Sequence, residues 1–156
     1  MKKKLGIVDT TFAIIDMYKF AKKAISDFSE NIEIIRYTVP GIKDIAVASK
    51  ILFEKYNCDI VLALGMPGPK EIDKQCANQA SNGIINTQLL VNKHILEVFV
   101  HMDETNNKKE LYEVTKNRTY KHTINAIKLL KGKNELSKNA GQGIRQGFDD
   151  EGPIRG

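Results

Sequence analysis

Val39-Pro40-Gly41-Ile42-Lys43-Asp44 is the stretch whose reading decides the fold. An apolar run, Ile32 to Tyr37, precedes it and reads as a strand; a helical pattern, Ile45 to Tyr56, follows it. Pro40 fixes φ and cannot donate to a strand ladder, so it marks a strand end. Gly41 carries no Cβ, which lets the chain turn or approach a ligand closely. Lys43 and Asp44 put opposite charges at the start of the helix. A junction of this kind falls at the carboxyl edge of a parallel sheet, where ligands usually bind. Taken alone, it also reads as an ordinary turn between a strand and a helix.

The same alternation extends in both directions. Leu5 to Val8 has strand character, with Asp9-Thr10-Thr11-Phe12 behind it. From Ile14 to Phe28 the apolar residues Ile14, Met17, Tyr18, Ala21, Ala24, Ile25 and Phe28 recur at intervals of three and four, the signature of a helix with one buried face. Ser29-Glu30-Asn31 breaks it. Asp59 to Leu64 is a continuous apolar run, as expected for a parallel strand covered on both faces. Gly65-Met66-Pro67-Gly68-Pro69 then makes a rigid loop, and a long helix runs from about Lys70 to Val91. His94 to His101 reads as a fourth strand, with Glu97 an odd carboxylate inside it. Asn107 to Leu130 reads as a last helix. Residues 132–156 form a glycine-containing tail, with a short helix expected near Glu135 to Ala140. The order predicts right-handed crossovers and a four-stranded parallel sheet between two helix layers, in one domain over residues 1–156. So narrow a sheet leaves edges and helix faces for neighbouring subunits to cover.

The bulk numbers exclude several classes. The chain has 156 residues, 42% of them apolar and 28% charged, as in a soluble globular protein. Its net charge of +5 is dispersed, with Lys2 to Lys4 the only basic run, which argues against a nucleic-acid module. Cys58 and Cys76 make no disulfide framework and read as reduced packing residues. No apolar run reaches transmembrane length and no signal-peptide core begins the chain, so the cytoplasm is the expected location.

The unusual polar residues all follow strands: Thr10, Thr11 and Phe12 the first, Pro40 to Asp44 the second, Gly65 to Pro69 the third, His101 the fourth. Their convergence on one rim is stronger than any single motif. Phe12 reads either as a core anchor or as a platform for a flat heterocycle. His101 reads either as a satisfied residue at a strand end or as a proton-transfer group. His94 reads as structural and His122 as solvated. Gly65-Met66-Pro67-Gly68 lacks the ending of a phosphate loop, no dinucleotide fingerprint follows the first strand, and no His/Cys cluster has zinc spacing. Arg145, within Gln142-Gly143-Ile144-Arg145-Gln146, can clamp an anion or a carboxylate, or be solvated.

Four segments occur in order: Gly6-Ile7-Val8-Asp9-Thr10-Thr11-Phe12, Val39 to Asp44, Ala63-Leu64-Gly65-Met66-Pro67-Gly68, and Val98-Phe99-Val100-His101. Together with the tail Gly141 to Phe148 they closely resemble the archaeal-type riboflavin synthases, relatives of the lumazine synthases. The resemblance implies a flavodoxin-like three-layer α/β/α fold, assembled as a homopentamer with sites between adjacent subunits. It implies dismutation of two 6,7-dimethyl-8-ribityllumazine molecules to riboflavin and 5-amino-6-ribitylamino-pyrimidinedione by transfer of a four-carbon unit. No redox cofactor is implied. Family members can require a divalent cation, magnesium or manganese, for which the sequence names no ligands. On this reading His101 is first choice for acid/base work, with Lys43 or Asp44 relaying protons or binding ribityl hydroxyls. Phe12 stacks a ring beside the hydroxyls of Thr10 and Thr11. Val39, Pro40, Gly41 and Ile42, with Gly65, Met66, Pro67 and Gly68, grip the ribityl chain and ring edge.

Two rivals remain, a lumazine synthase and a non-catalytic flavin or lumazine carrier. Against the first, the lumazine synthase motif Val-Pro-Gly-Ala-(Phe/Tyr)-Glu becomes Val-Pro-Gly-Ile-Lys-Asp here. The histidine of its loop after the third strand is absent between Gly65 and Val91. Its Thr-Thr phosphate site is replaced around His101-Met102-Asp103, as suits a substrate without a phosphate.

Overall fold

Four parallel strands alternate with four helices in a computed structural model that describes residues 2–29 and 31–156. The strands are β1 (Lys3–Thr10), β2 (Ile32–Val39), β3 (Ile60–Gly65) and β4 (Ile95–Phe99). The helices are α1 (Tyr18–Phe28), α2 (Ile45–Tyr56), α3 (Glu71–Val91) and α4 (Lys108–Lys131). The sheet order is β2-β1-β3-β4, and every pairing is parallel. The chain therefore steps outward from β1 to β2, then crosses back over β1 to β3. That reversal opens a crevice at the carboxyl ends of β1 and β3.

Side-chain alternation assigns each strand residue to one helix layer. Leu5 and Ile7 of β1, Leu62 and Leu64 of β3 and Val98 of β4 pack with Met17, Ala21 and Ile25 of the α1 side and Leu111, Ala126 and Ile127 of α4. Val8, Val61, Ala63 and Ile95 point the other way, to Ile45, Ala48 and Leu52 of α2 and Ala77, Ala80 and Ile84 of α3. β3 is buried along its whole length, which is why it reads as an unbroken apolar run. α2 ends where Asn57 adopts the left-handed conformation (φ 57°), and α3 ends the same way at Asn92 (φ 55°). Asn107 caps α4, its Oδ1 accepting the Glu110 amide at 2.9 Å.

Several expectations need correction. α1 starts at Tyr18 and not at Ile14, because the Ala13 amide donates to Thr10 Oγ1 at 3.3 Å and the chain turns there. Ile14 is exposed despite its helical spacing; Met17 is the buried residue that anchors the helix start. β4 stops at Phe99, so His101 lies two residues beyond the strand. Its neighbours still extend the β3–β4 pairing, Val100 N donating to Gly65 O at 3.0 Å and Met102 N to Pro67 O at 2.9 Å. The expected helix near Glu135 is a single 3₁₀ turn, Ser137–Asn139. Of the break Ser29-Glu30-Asn31, Glu30 lies outside the described residues.

His122 is not solvated. Its Nδ1 is buried with no hydrogen-bond partner among the described residues, and burial, with Arg118 nearby, pushes its pKa down to about 4. Thr115, Thr119 and Ala126 share its helix face and are fully buried. The buried stripe of α4 is polar at several positions, so hydropathy alone misassigns it.

Candidate active site

The carboxyl end of the sheet carries a cavity of about 450 Å³ over the α2/α3 layer. Phe12, the turn Pro40 to Asp44, and Pro67, Gly68, Asp73 and Cys76 line it. The strand pairing builds this directly. Thr11 N donates to Val39 O at 2.9 Å and Phe12 N to Pro40 O at 3.3 Å, so the β1–β2 ladder continues into the loops. Thr11 Oγ1 also donates to Pro40 O at 3.3 Å, fastening the Phe12 loop to the Pro40 turn. Phe12 is 50% exposed on the cavity wall, so it is not a core anchor.

The Pro40 turn continues into a 3₁₀ turn, Ile42–Asp44, that runs straight into α2. Asp44 Oδ2 accepts the Gly41 amide at 3.1 Å, which rigidifies the turn. Asp73 repeats the device one loop later, its Oδ2 accepting the Lys70 amide at 3.1 Å at the start of α3. Each carboxylate spends one oxygen on its own loop and presents a residue to the cavity. Lys43 lines the same cavity and forms no ion pair among the described residues.

Two glycines are there because neighbours occupy the space of a side chain. A Cβ on Gly65 would lie 2.7 Å from the Phe99 ring and 3.0 Å from Ile42 Cγ2. A Cβ on Gly68 would lie 2.8 Å from Asp73 Cγ. Gly65 lets β4 and the Pro40 turn close over the end of β3; Gly68 lets the capping carboxylate of α3 come down onto the loop.

Not every expected residue joins this cavity. Val39 and Met66 are buried in the two cores, so only their main chain and their packing shape the rim. Thr10 and Thr11 line a second cavity of about 400 Å³ on the α1/α4 side, with Asp9, Asp16, Arg36 and Thr38. There Asp9, Arg36 and Thr38 bind one another. Arg36 Nη2 donates to Asp9 Oδ2 at 2.6 Å, Thr38 Oγ1 donates to Asp9 Oδ1 at 2.6 Å, and the guanidinium lies 4.0 Å over the Tyr18 ring.

His101 lies outside both linings, between two ion pairs. Lys74 of α3 meets Asp103 at 2.9 Å, and Arg118 of α4 meets Glu104 at 2.7 Å. Its amide donates to Glu104 Oε1 at 2.9 Å. The hydrogen bond from Lys74 holds the Asp103 carboxyl below its ordinary range. Burial opposes ionisation of Glu104, but the bonds from Arg118 and the His101 amide outweigh it and lower its pKa. Glu97, the odd carboxylate of β4, accepts a short hydrogen bond from Ser81 of α3; burial raises its pKa nevertheless. Among the described residues no three His, Cys, Asp or Glu side chains group as a metal set. One chain therefore offers no preformed three-ligand set for a divalent cation among the described residues.

Asp73 and Cys76 are cavity residues that the sequence reading missed. Their spacing of three on the first turns of α3 is the signal that places both on one helix face behind the Gly68 loop. Asp9 carried a signal too, as a charge at the end of an otherwise apolar strand.

A three-layer parallel α/β fold with its cavity at the switch point, walled by strand-end loops, is the arrangement in which this class of protein takes a small-molecule ligand. The chain belongs to the 6,7-dimethyl-8-ribityllumazine synthase family, which it matches over residues 2–134. Within that group it is similar to proteins named riboflavin synthase. The one from Methanothermobacter thermautotrophicus is 50% identical over 151 residues, covering 97% of this chain and 99% of the relative. The Archaeoglobus fulgidus protein is 44% identical, covering 97% of this chain and 98% of the relative. The Aeropyrum pernix protein is 39% identical over 156 residues, covering 99% of this chain and 100% of the relative.

Proposed function

We propose that this chain is a riboflavin synthase, a transferase converting two molecules of 6,7-dimethyl-8-ribityllumazine to riboflavin and 5-amino-6-ribitylamino-pyrimidinedione. The observation that carries this is the 39–50% identity to riboflavin synthases across nearly the whole of both chains. One lumazine gives up a four-carbon unit and the other receives it to close the third ring. The two products contain between them all the atoms of the two substrates, so no outside oxidant is needed. The family match to lumazine synthase describes the shared fold and does not by itself choose the reaction.

The site residues are assigned roles by the chemistry. A methyl proton of one lumazine must be removed, and the two rings must be held in reacting contact. Phe12, half-exposed on the cavity wall, stacks a ring. The Pro40–Asp44 turn and the Gly65–Gly68 loop grip ring edge and ribityl chain, where Lys43 and Asp44 meet hydroxyls or pass protons. Thr10 and Thr11 support the Phe12 loop from the other side. His101, beyond the end of an edge strand, is the acid/base group and acts on the cavity of a neighbouring subunit.

That role calls for an oligomer, and a homopentamer with sites between subunits is the assembly we assign. Exposed Val47 on α2 and Ile72, Ile85, Leu89 and Leu90 on α3 support it, as apolar side chains in need of cover. No described helix is long and apolar enough to cross a membrane. Cys58 is buried and free, its thiol pushed up to about 11 by burial, which suits a reducing cytoplasm. Purified protein incubated with 6,7-dimethyl-8-ribityllumazine alone should form riboflavin. Tight binding without product would favour a carrier, and a requirement for a four-carbon phosphate co-substrate would favour a lumazine synthase.

A further inference from the structure

The tail beyond α4 passes directly over Arg118. Gly147 holds a left-handed φ of +77°, and a Cβ there would lie 3.2 Å from Arg118 Cβ. Phe148 then covers the guanidinium, with 5.2 Å from Arg118 Cζ to the ring centroid, and Arg145 Cζ stands 4.9 Å from the same ring. Arg145 is itself held by Glu151 at 2.8 Å, so its carboxylate partner lies in the same tail.

From Arg118 the contacts lead to His101. The Arg118 side chain is 8% exposed and spends its donors on two places. Nη1 and Nη2 bind the two oxygens of Glu104 at 2.8 and 2.7 Å, and Nη1 also reaches the carbonyl of Phe99 at 2.9 Å. This bidentate grip leaves Glu104 one orientation. In that orientation Oε1 accepts the amide of His101. The amides on either side, Val100 and Met102, are tied instead to the β3 end and its loop. Glu104 is therefore the tether specific to His101.

We propose that Phe148, acting through Arg118 and Glu104, positions His101 for proton transfer. The proposal rests on the acid/base reading of His101 given above. None of the three touches substrate on this view; they are positioning residues. A misplacement of about 1 Å far from the chemistry can cost on the order of a hundredfold in rate, so a loosened tether is measurable.

The test uses the intact assembly with Phe148→Tyr, Phe148→Leu and Glu104→Gln. Phe148 is 56% exposed, so its replacements should fold. Steady-state turnover of 6,7-dimethyl-8-ribityllumazine and amide hydrogen exchange at His101 are both read. Phe148→Tyr should match the unaltered protein, since it keeps a π-face for the guanidinium. Phe148→Leu should lower kcat about fivefold and Glu104→Gln about tenfold, with KM within about twofold. His101 exchange should quicken in both while Val100 and Met102 keep theirs. Unchanged kcat and unchanged His101 exchange in Phe148→Leu would overturn the proposal, as would a raised KM with kcat intact. Exchange is read without substrate. Absence of turnover in the unaltered protein, or full turnover in His101→Ala, would therefore sink the proposed reaction or the role of His101 while the tether stays testable.

Discussion

The cavities on the two faces of the sheet differ in how their central polar groups are used. On the α1/α4 face, Asp9, Arg36 and Thr38 bind one another inside a cavity, and Thr115 and Thr123 bond back to their own helix at 2.7 Å. On the α2/α3 face, Asp44 and Asp73 each hold one loop amide, and Lys43 beside them forms no ion pair among the described residues. A cavity is not a site merely because polar residues line it. Groups that have satisfied one another hold the fold together, whereas groups with capacity to spare can meet a ligand.

That contrast can be broken most decisively at the rim. His101→Ala should lower kcat by about a hundredfold or more, in the range general acid–base catalysis supplies, with assembly and melting temperature unchanged. Near-normal turnover would remove His101 from the chemistry. The next effect belongs to the α1/α4 face and concerns stability. The folded protein keeps His122 neutral down to about pH 4, whereas the unfolded chain protonates it near 6.5. The unfolded state therefore binds more protons between those values, and stability falls as pH drops through that window, by on the order of 3 kcal/mol. Denaturant unfolding at pH 7 and pH 4.5 should show His122→Gln to be less acid-sensitive; identical pH slopes would contradict the burial.

Arg36→Ala should come next, at about 1–3 kcal/mol, because it strips a buried carboxylate of its partner. The guanidinium is partly exposed, which favours the lower part of that range. KM should stay as it was, and a large rise in KM would show that the α1/α4 cavity takes part in binding. The smallest expected effect is at Phe12→Ala. Loss of a stacking platform is worth about 0.5–1.5 kcal/mol, so KM should rise by up to about tenfold while unfolding free energy barely moves. A marked loss of stability with unchanged KM would return Phe12 to the core.

Much of the rim was legible because its demands are local. Pro40 follows the end of β2 at Val39, Gly65 and Gly68 leave room for neighbours, and all three lie at or just beyond the end of a strand-like apolar run. Asp73 and Cys76 were not legible, because their place depends on how α3 leans over the Gly68 loop. Thr10 and Phe12 sit two residues apart in sequence yet face different cavities. His122 and Ile14 misled in opposite directions. A polar face of α4 is buried by α1 and the sheet, while an apolar residue at helical spacing was left on a turn.

By itself the sequence determined the order of elements, the parallel sheet and the family resemblance. Alternation, periodicity and strand-end motifs are properties of short stretches of chain. Only the tertiary structure decided which polar groups are spent and which are free, since that depends on partners far apart in sequence. Asp9 finds Arg36 across a strand pair, and Arg118 joins the tail to Glu104, which holds the amide of His101. The Val39–Asp44 turn could be found by reading along the chain; its company of Phe12, Gly68 and Asp73 required the fold.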